Sequence, residues 1–225
     1  FKNFTDKVKE AAKNYSDTAV YVITRVGGEG STLTDLLLSL TKNEEQTLDF
    51  ITASFDKVLV VLNTSNPLEL VFLDGKGTSR NTGENYSKYA EKIDGALWIG
   101  LSGYTGANAV AEIMTGVSPS GRLADTYAYD VNSAPSASSV ANAENIYAGY
   151  RWYETAAFEG AIDYDEYERN SEKAYTSKKI ASGVQFPFGY GLSYTSFEYS
   201  DFKVSYNAAK DEFEVLDISK KPAEP

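Results

Sequence analysis

The chain contains neither cysteine nor histidine among its 225 residues. Without cysteine it can form no disulfide, no thiolate nucleophile and no structural zinc site of the cysteine type. Without histidine it can form no Ser-His-Asp triad by itself, and it lacks the commonest transition-metal ligand. Any chemistry that this chain performs must therefore use carboxylates, hydroxyls, lysine or arginine.

Positive charge is also scarce, since 21 Lys and Arg stand against 32 Asp and Glu for a net charge of −11. Nucleic-acid binding requires clustered cations that neutralise phosphates, so this balance argues against a polyanion partner. No apolar run approaches the roughly 18 residues that a membrane span needs, and no signal peptide opens the chain. With 42% hydrophobic residues, the chain can bury a substantial core.

Helical and strand-like patterns alternate along the chain, which predicts an α/β fold with a mostly parallel sheet and helices on both faces. Thr41 and Glu44 have the spacing of a capping box at the start of a helix. The predicted elements are a helix over residues 1–15, a buried strand over 18–24, a helix over 41–54, strands over 56–63 and 96–99, a helix over 108–114 and a strand over 197–206. The predicted irregular segments are a surface loop over 130–143, a charged excursion over 163–179 and a tail over 211–225.

A Gly-Gly-Glu-Gly segment at residues 27–30 directly follows the first predicted strand. Ligands of open α/β sheets gather beyond the carboxyl ends of the strands, where this segment is expected to lie. Glycines let the backbone approach a ligand closely, so Glu29 could be presented to a substrate. On spacing alone, a solvent-exposed turn with an incidental glutamate is the simpler interpretation. The segment is not a dinucleotide loop, and Gly75-Lys76-Gly77-Thr78 lacks the spacing of a phosphate loop.

A second acidic cluster, formed by Asp163, Asp165, Glu166 and Glu168, invites a metal-site interpretation. Its spacing does not fit a calcium loop, which needs a glycine at the sixth position and a distant glutamate. We therefore expect a solvated acidic loop there and no metal site.

Five ordered segments carry a resemblance that spacing alone does not provide. They are AVYVITRVGGEG (19–30), VLVVLNTSNPLEL (58–70), DGALWIGLSGYTGANAVAEIMTGVSPSGRL (94–123), IYAGYRWYE (146–154) and FPFGYGLSYTSFEYS (186–200). In this order they resemble the C-terminal domain of family 3 glycoside hydrolases, the β-glucosidase and β-xylosidase group. The segments PSGRL and FPFGYGLSYT are the most specific, and the likeness covers nearly the whole chain.

This resemblance implies an α/β-sandwich domain of a retaining, exo-acting β-glycosidase, most simply a β-glucosidase, that acts on β-linked oligosaccharides or glycosides. In the family, a (β/α)8 barrel supplies an aspartate nucleophile, and the sandwich domain supplies the acid/base carboxylate of a Gly-Glu-Gly loop. That carboxylate maps onto Glu29. The barrel would be the required partner, no cofactor is implied, and we expect a secreted or cell-surface protein.

The sequence departs from the family pattern near this loop, because Ser31-Thr32-Leu33 follows where many members carry a polar pair such as Asp-Arg. The family domain also has elements before the first clear strand, so we expect that an edge strand is missing. We assign residues 1–203 to the sandwich domain and 204–225 to a tail or the start of a further domain. No barrel sequence is present, so the nucleophile lies outside this chain.

Several side chains have two interpretations. Trp98 is expected to pack against the sheet, with a sugar-binding role as the alternative. Arg122 is expected to anchor a turn, with contact to the substrate as the alternative. Tyr150, Arg151, Phe188 and Tyr190 are expected to hold the long loop against the sandwich, and the alternative is that some of them face the barrel. For the whole chain, the alternatives to an enzyme domain are a non-catalytic carbohydrate-binding or scaffolding domain and a flavodoxin-like nucleotide or flavin binder.

Overall fold

The computed structural model describes residues 5–25, 35–135, 145–161, 183–196, 198–210 and 212–220. Glu29 and the acidic residues between 163 and 168 lie outside the described residues. The α-helices are α1 (Asp6–Tyr15), α2 (Asp35–Leu38), α3 (Lys42–Ser54), α4 (Gly106–Met114) and α5 (Tyr150–Phe158). The strands are β1 (Thr18–Arg25), β2 (Lys57–Thr64), β3 (Gly95–Trp98), β4 (Tyr127–Ala128), β5 (Val184–Phe186), β6 (Tyr199–Asn207) and β7 (Glu212–Lys220). Two short 3-10 helices cover Tyr86–Tyr89 and Val131–Ser133.

The central sheet is parallel, with the strand order β1-β2-β3, and it confirms the predicted α/β class. β2 lies between its two neighbours, and its apolar run is buried as predicted, with Val58, Val60 and Leu62 at 2% exposure or less. β1 was predicted to be buried throughout, but the structure contradicts this, since Val20 and Val22 remain about half exposed. Only the face of β1 that carries Ile23 packs into the core.

Helix α3 begins at the predicted capping box. The Thr41 hydroxyl accepts a hydrogen bond from the Glu44 amide at 3.3 Å, and the Thr41 amide donates to the Glu44 carboxylate at 2.8 Å. These bonds satisfy amides that the first turn of a helix leaves without partners. The helix ends at Ser54 as predicted, and Leu48 and Ile51 are buried against the sheet.

The two segments most specific to the family resemblance, PSGRL and FPFGYGLSYT, lie side by side. The Leu123 amide donates to the Tyr190 carbonyl at 2.8 Å, and the Gly189 amide donates to the Leu123 carbonyl at 2.7 Å. A Cβ atom added to Gly191 would lie 2.4 Å from the Gly121 carbonyl oxygen, so only glycine allows this approach. The contact between the two segments therefore depends on the glycine at position 191.

The predicted surface loop over 130–143 begins with buried residues, which corrects that prediction for its first part. Asp130 and Ser133 are buried, because Asp130 pairs with Arg80 and the Ser133 hydroxyl bonds to the Tyr153 hydroxyl at 2.8 Å. Small polar residues indicate irregular structure, but they do not reveal a distant ionic partner. Residues 136–144 lie outside the described residues.

The last described strands form an antiparallel hairpin, β6 with β7, in which Val204 pairs with Val215. The predicted strand over 197–206 is found at Tyr199–Asn207, whereas β7 lies in the segment predicted as a tail of little core material. The boundary drawn after residue 203 falls within β6, and the division into a domain and a tail stays a prediction. No helix in the described part of the chain is long and apolar enough to cross a membrane.

Arg80 is the centre of a buried ion cluster that joins three distant segments. Its guanidinium donates to Glu69, with Nε–Oε2 at 2.8 Å and Nη2–Oε1 at 2.7 Å, and it also pairs with Asp130. Glu69 is only 3% exposed and also accepts a bond from the Val131 amide at 3.4 Å. Burial opposes ionisation of the Arg80 guanidinium, but its bonds to the two carboxylates outweigh this and raise its pKa above the ordinary value.

Replacing Arg80 with methionine should destabilise the protein by about 3–5 kcal/mol, because two buried carboxylates would lose their cation. Urea unfolding at pH 7 measures this loss. Lys88→Met is the control, since Lys88 makes partly exposed ion pairs with Asp49 and Glu84. The control should cost no more than about 1 kcal/mol. Equal losses in the two variants would contradict the importance of the buried cluster.

Candidate functional site at the carboxyl edge of the sheet

The carboxyl ends of the three parallel strands meet at one edge of the sheet. Arg25 pairs in register with Thr64, and Leu62 pairs with Trp98, so the ends of β1, β2 and β3 are neighbours. In open parallel sheets this edge is where ligands bind. Residues 26–34, which contain the Gly-Gly-Glu-Gly segment, follow β1 directly in the sequence and lie outside the described residues.

Arg25, the last residue of β1, is only 7% exposed and makes several bonds at this edge. Its Nη1 atom donates to the Thr24 carbonyl at 3.2 Å, and Nη2 donates to the Ser39 carbonyl at 3.2 Å. Both Nη atoms also donate to the Glu44 carboxylate, with Nη2–Oε2 at 2.6 Å. This two-point contact is the geometry that arginine, with its planar fork of donors, makes with carboxylates.

Glu44 accepts bonds from Thr41 as well as from Arg25. The Thr41 hydroxyl donates to Oε2 at 2.9 Å, beside the amide bond of the capping box. Burial alone would raise the pKa of Glu44, but the bonds from Arg25 and Thr41 together with the charge of Arg25 outweigh it and lower the pKa. The Glu44 carboxylate is therefore ionised at neutral pH, and its negative charge lies against the Arg25 guanidinium.

The sequence predicted the capping role of Glu44 but missed its pairing with Arg25. Thr41 and Glu44 are close in sequence and form a recognisable pattern, whereas Arg25 lies on a different element. The one available signal was a charged residue in the last position of an apolar strand, since a buried charge requires a partner.

Ser39 connects this pair to the Arg80 cluster. Its carbonyl accepts from Arg25, and its hydroxyl accepts from the Arg80 amide at 3.3 Å. Next to it, the Asn81 side chain donates to the Leu40 carbonyl at 2.8 Å. The chain just after α2 is therefore held from two sides, by β1 and by the segment around residue 80.

A buried acid on α3, Glu45, lies beside this region. It accepts from the Thr82 hydroxyl at 2.6 Å and from the Tyr86 hydroxyl at 3.1 Å. Burial, with the charge of Glu45 as a smaller cause, raises the pKa of Tyr86 to about 12. These bonds attach the segment over residues 79–89 to α3. The attachment stabilises the part of the chain that lies next to the carboxyl edge of the sheet.

Trp98 ends β3 at the same edge and is 44% exposed. Its indole Nε1 donates to the Thr64 carbonyl at 3.0 Å, which ties the ring to the end of β2. The side chain is thus attached to the sheet by this hydrogen bond, while almost half of it remains accessible and it belongs to neither core cluster of the described residues. Contact with a sugar stays a prediction.

Tyr150 and Arg151 on α5 form a small aromatic cluster with Phe188, whereas the Tyr190 ring contacts Phe186, with 5.1 Å between centroids. The rings of Tyr150 and Phe188 stack at 4.6 Å between centroids, and Arg151 lies 5.5 Å from the centre of the Tyr150 ring. Arg122 donates to the Gly121 carbonyl at 2.9 Å, which agrees with its expected role in a turn. Within the described ranges no three acidic side chains are grouped as a metal ion would require.

Comparisons with known proteins agree with this architecture. The family model described as the glycosyl hydrolase family 3 C-terminal domain matches residues 2–194. The chain is 33% identical over 208 residues to a β-glucosidase of Ruminococcus albus, with 86% of this chain and 17% of that protein covered. It is 29% identical over 224 residues to β-glucosidase A of Butyrivibrio fibrisolvens, with 85% and 23% covered. The solved structure of a β-glucosidase from Paenibacillus barengoltzii matches with a TM-score of 0.69 at 29% identity, covering 91% of this chain and 19% of that one.

The parallel sheet, its carboxyl edge and these matches define the class as an α/β domain of glycoside hydrolases. Within that class, the chain belongs to glycosyl hydrolase family 3 and corresponds to its C-terminal domain. This confirms the resemblance found in the sequence, and it separates the chain from flavin binders with a similar alternation of strands and helices. The chain spans about a fifth of the length of these relatives.

Glu44→Gln should destabilise the protein at pH 7 and much less at pH 3. The folded-state pKa of Glu44 is lowered, so its stabilisation is fully present above the ordinary glutamate value of roughly 4.3 and is lost as the pH falls through the folded value. Urea unfolding midpoints at the two pH values measure the difference. Glu10→Gln on exposed α1 is the control and should change the midpoint little at either pH. A loss of equal size at pH 3 and pH 7 would contradict an ionised Glu44.

Proposed function

We propose that this chain is the domain that supplies the acid/base carboxylate of a retaining, exo-acting β-glycosidase, with β-glucosidase as the expected activity. The observation that carries the proposal is the position of the Gly-Gly-Glu-Gly sequence, which directly follows the carboxyl end of β1 in a family 3 C-terminal domain. The names of the relatives support β-glucosidase as the expected activity, since two of them are β-glucosidases that are 33% and 29% identical to this chain.

In the proposed mechanism, two carboxyl groups on different domains act on one glycosidic bond. An aspartate of a barrel domain, outside this chain, attacks the anomeric carbon while Glu29 donates its proton to the departing glycosidic oxygen. Glu29, now a carboxylate, then takes a proton from water, which hydrolyses the glycosyl–aspartate ester and restores both groups. Retaining chemistry of this kind requires the two carboxyl groups to be about 5–5.5 Å apart.

A site between two domains favours the protonated form of the acid, which the first step of the reaction requires. An acid must hold its proton near the working pH, which requires a pKa above that of a free glutamate. Exclusion of water between two domains and the negative charge of a nearby nucleophile both raise the pKa of a carboxyl group. Arg25, which precedes this segment in the sequence, is paired with Glu44, so it is not an unpaired cation that would favour the ionised form of an acid.

The proposed partner is therefore a (β/α)8 barrel, and the substrate is a β-linked oligosaccharide or glycoside. The relatives are several times longer than this chain, which leaves room for such a domain in proteins of this kind. A secreted or cell-surface location stays a prediction.

Glu29→Ala, made in the full-length protein, should lower kcat/KM for a substrate with a poor leaving group by about 10²–10⁴-fold. A dinitrophenyl glucoside should lose far less, because its leaving group departs without a proton. Azide, which needs no base to react, should restore turnover of that activated substrate by forming a glucosyl azide. Initial rates with cellobiose and the dinitrophenyl glucoside measure the contrast.

Glu10→Ala on α1 is the matched control and should leave both rates unchanged. An unaffected Glu29→Ala enzyme would remove the proposed role of this residue. If the full-length protein bound glycosides but hydrolysed none, the non-catalytic carbohydrate-binding alternative would be supported instead.

We also propose that the accessible part of Trp98 contacts the bound sugar. Its ring is fixed at the carboxyl edge by the bond to Thr64, so a sugar would find it already oriented. Trp98→Leu should raise KM about tenfold with little change in kcat, which corresponds to about 1.4 kcal/mol of binding. Steady-state kinetics on a short glucan measure this. An unchanged KM would assign Trp98 to sheet packing alone.

A further inference from the structure

We infer that the loop between β3 and α4, residues 99–105, is a surface on which the barrel domain docks, with Leu101 and Tyr104 as its central contacts. This inference rests on the proposed function, because it names the part of this chain that meets the proposed partner. The surface consists of described residues only, and neither side chain is placed in contact with the reacting atoms.

Two large side chains of this loop are exposed to solvent. Tyr104 is fully accessible, and Leu101 is 71% exposed. Neither belongs to a core cluster of the described residues, and the Tyr104 hydroxyl has no hydrogen-bond partner among them. Trp98, immediately before the loop, is also partly exposed. Single exposed apolar residues are normal on a protein surface, whereas several in one short stretch indicate a site of interaction.

The backbone holds this loop in a defined shape. At its start, the Ile99 amide donates to the Leu62 carbonyl at 2.9 Å, which continues the pairing of β3 with β2. At its end, a Cβ atom added to Gly106 would lie 2.4 Å from the Cβ atom of Ser102, so only glycine allows the loop to close this tightly. A contact surface that is ordered before binding loses less conformational entropy when the partner arrives. The loop therefore presents its exposed side chains from a fixed support.

Charged side chains are absent from this part of the chain. Residues 95–111 contain none, although charged residues make up 24% of the protein. Burial does not explain this, since α4, which follows the loop, has no buried residue. The centre of a protein–protein interface is depleted of charge, and tyrosine is among the residues that contribute most binding energy there. The composition of the loop and of α4 is therefore that of an interface.

The position of the loop favours the barrel as the partner. The loop follows the end of β3, so it lies at the carboxyl edge of the parallel sheet. Ligands of open parallel sheets bind beyond this edge, and a barrel that shares the active site must therefore approach it. The chain spans only about a fifth of the length of its relatives, so proteins of this family contain enough further chain for such a domain.

A sugar and a second copy of this chain are less suitable occupants of this surface. The hydroxyl groups of a sugar need hydrogen-bond partners when they are buried, and Leu101 offers none. A second copy would bring another net charge of −11 against this one, and strong net charge of one sign opposes self-association.

Photo-crosslinking in the full-length protein tests this surface. Tyr104→p-benzoylphenylalanine places a crosslinker at a fully exposed position, so folding should be preserved, and an unchanged melting temperature checks this. After irradiation, mass spectrometry of the digested protein identifies the peptide that is joined to residue 104. We expect a peptide of the barrel domain from the same polypeptide. Leu101→p-benzoylphenylalanine is the second variant and should give a neighbouring barrel peptide.

The matched control is Tyr15→p-benzoylphenylalanine. Tyr15 is 92% exposed but ends α1, just before the amino end of β1 and thus at the opposite edge of the sheet. The yield of barrel cross-links should be at least about tenfold higher from residue 104 than from residue 15, because interface side chains lie against the partner. Equal yields, no cross-link from residues 101 and 104, or cross-links only within this domain or to a second copy would overturn the inference.

The Glu29→Ala kinetics separate this inference from the proposed function. If the cross-links to the barrel form but Glu29→Ala shows no dependence on the leaving group, the acid role is wrong and the docking surface stands. If Glu29→Ala shows the dependence and residue 104 does not reach the barrel, only the docking surface is wrong. A full-length protein without a barrel would contradict both.

Discussion

Parallel pairing of β1 with β2, in register from Thr18–Lys57 to Arg25–Thr64, is the constraint on which the rest of this structure depends. Parallel strands bring like ends together, so every chain segment that follows a strand starts at one edge. The pairing buries Ile23, Val60 and Leu62 on one face against α3. Together with the parallel pairing of β2 with β3, it places Arg25 and Trp98 along the same edge, although they belong to distant parts of the sequence.

The two largely buried arginines near this edge are paired with carboxylates that the fold brings next to them. Arg25 and Glu44 form a neutral pair, whereas Arg80 faces two buried carboxylates, Glu69 and Asp130. Ser39 is bonded to both arginines, through its carbonyl and its hydroxyl. Buried charges cost several kcal/mol unless they are paired, so each arginine specifies which segments must come together. The two arginines thus specify how β1, the start of α3 and the segments around residues 69, 80 and 130 come together.

Local patterns in the sequence predicted most of the framework. The capping box of Thr41 and Glu44, the end of α3 at Ser54 and the buried run of β2 were found as expected, because each depends on residues that are neighbours in the chain. The prediction was wrong where burial depends on distant partners, as at Asp130, and where a strand has an exposed face, as at Val20 and Val22. Neither outcome is visible in a local pattern of apolar and polar residues.

The sequence by itself therefore determined the family, the order of helices and strands, and Glu29 as the residue to test. Family segments and capping patterns consist of contiguous residues, so they can be recognised without the tertiary structure. Only the tertiary structure decided which charges meet. The partner of Arg25, the two carboxylates of Arg80 and the attachment of Trp98 to Thr64 all join residues far apart in the chain. Such contacts form because the fold brings charges and donors from distant parts of the chain beside acceptors that satisfy them, and this depends on the three-dimensional arrangement.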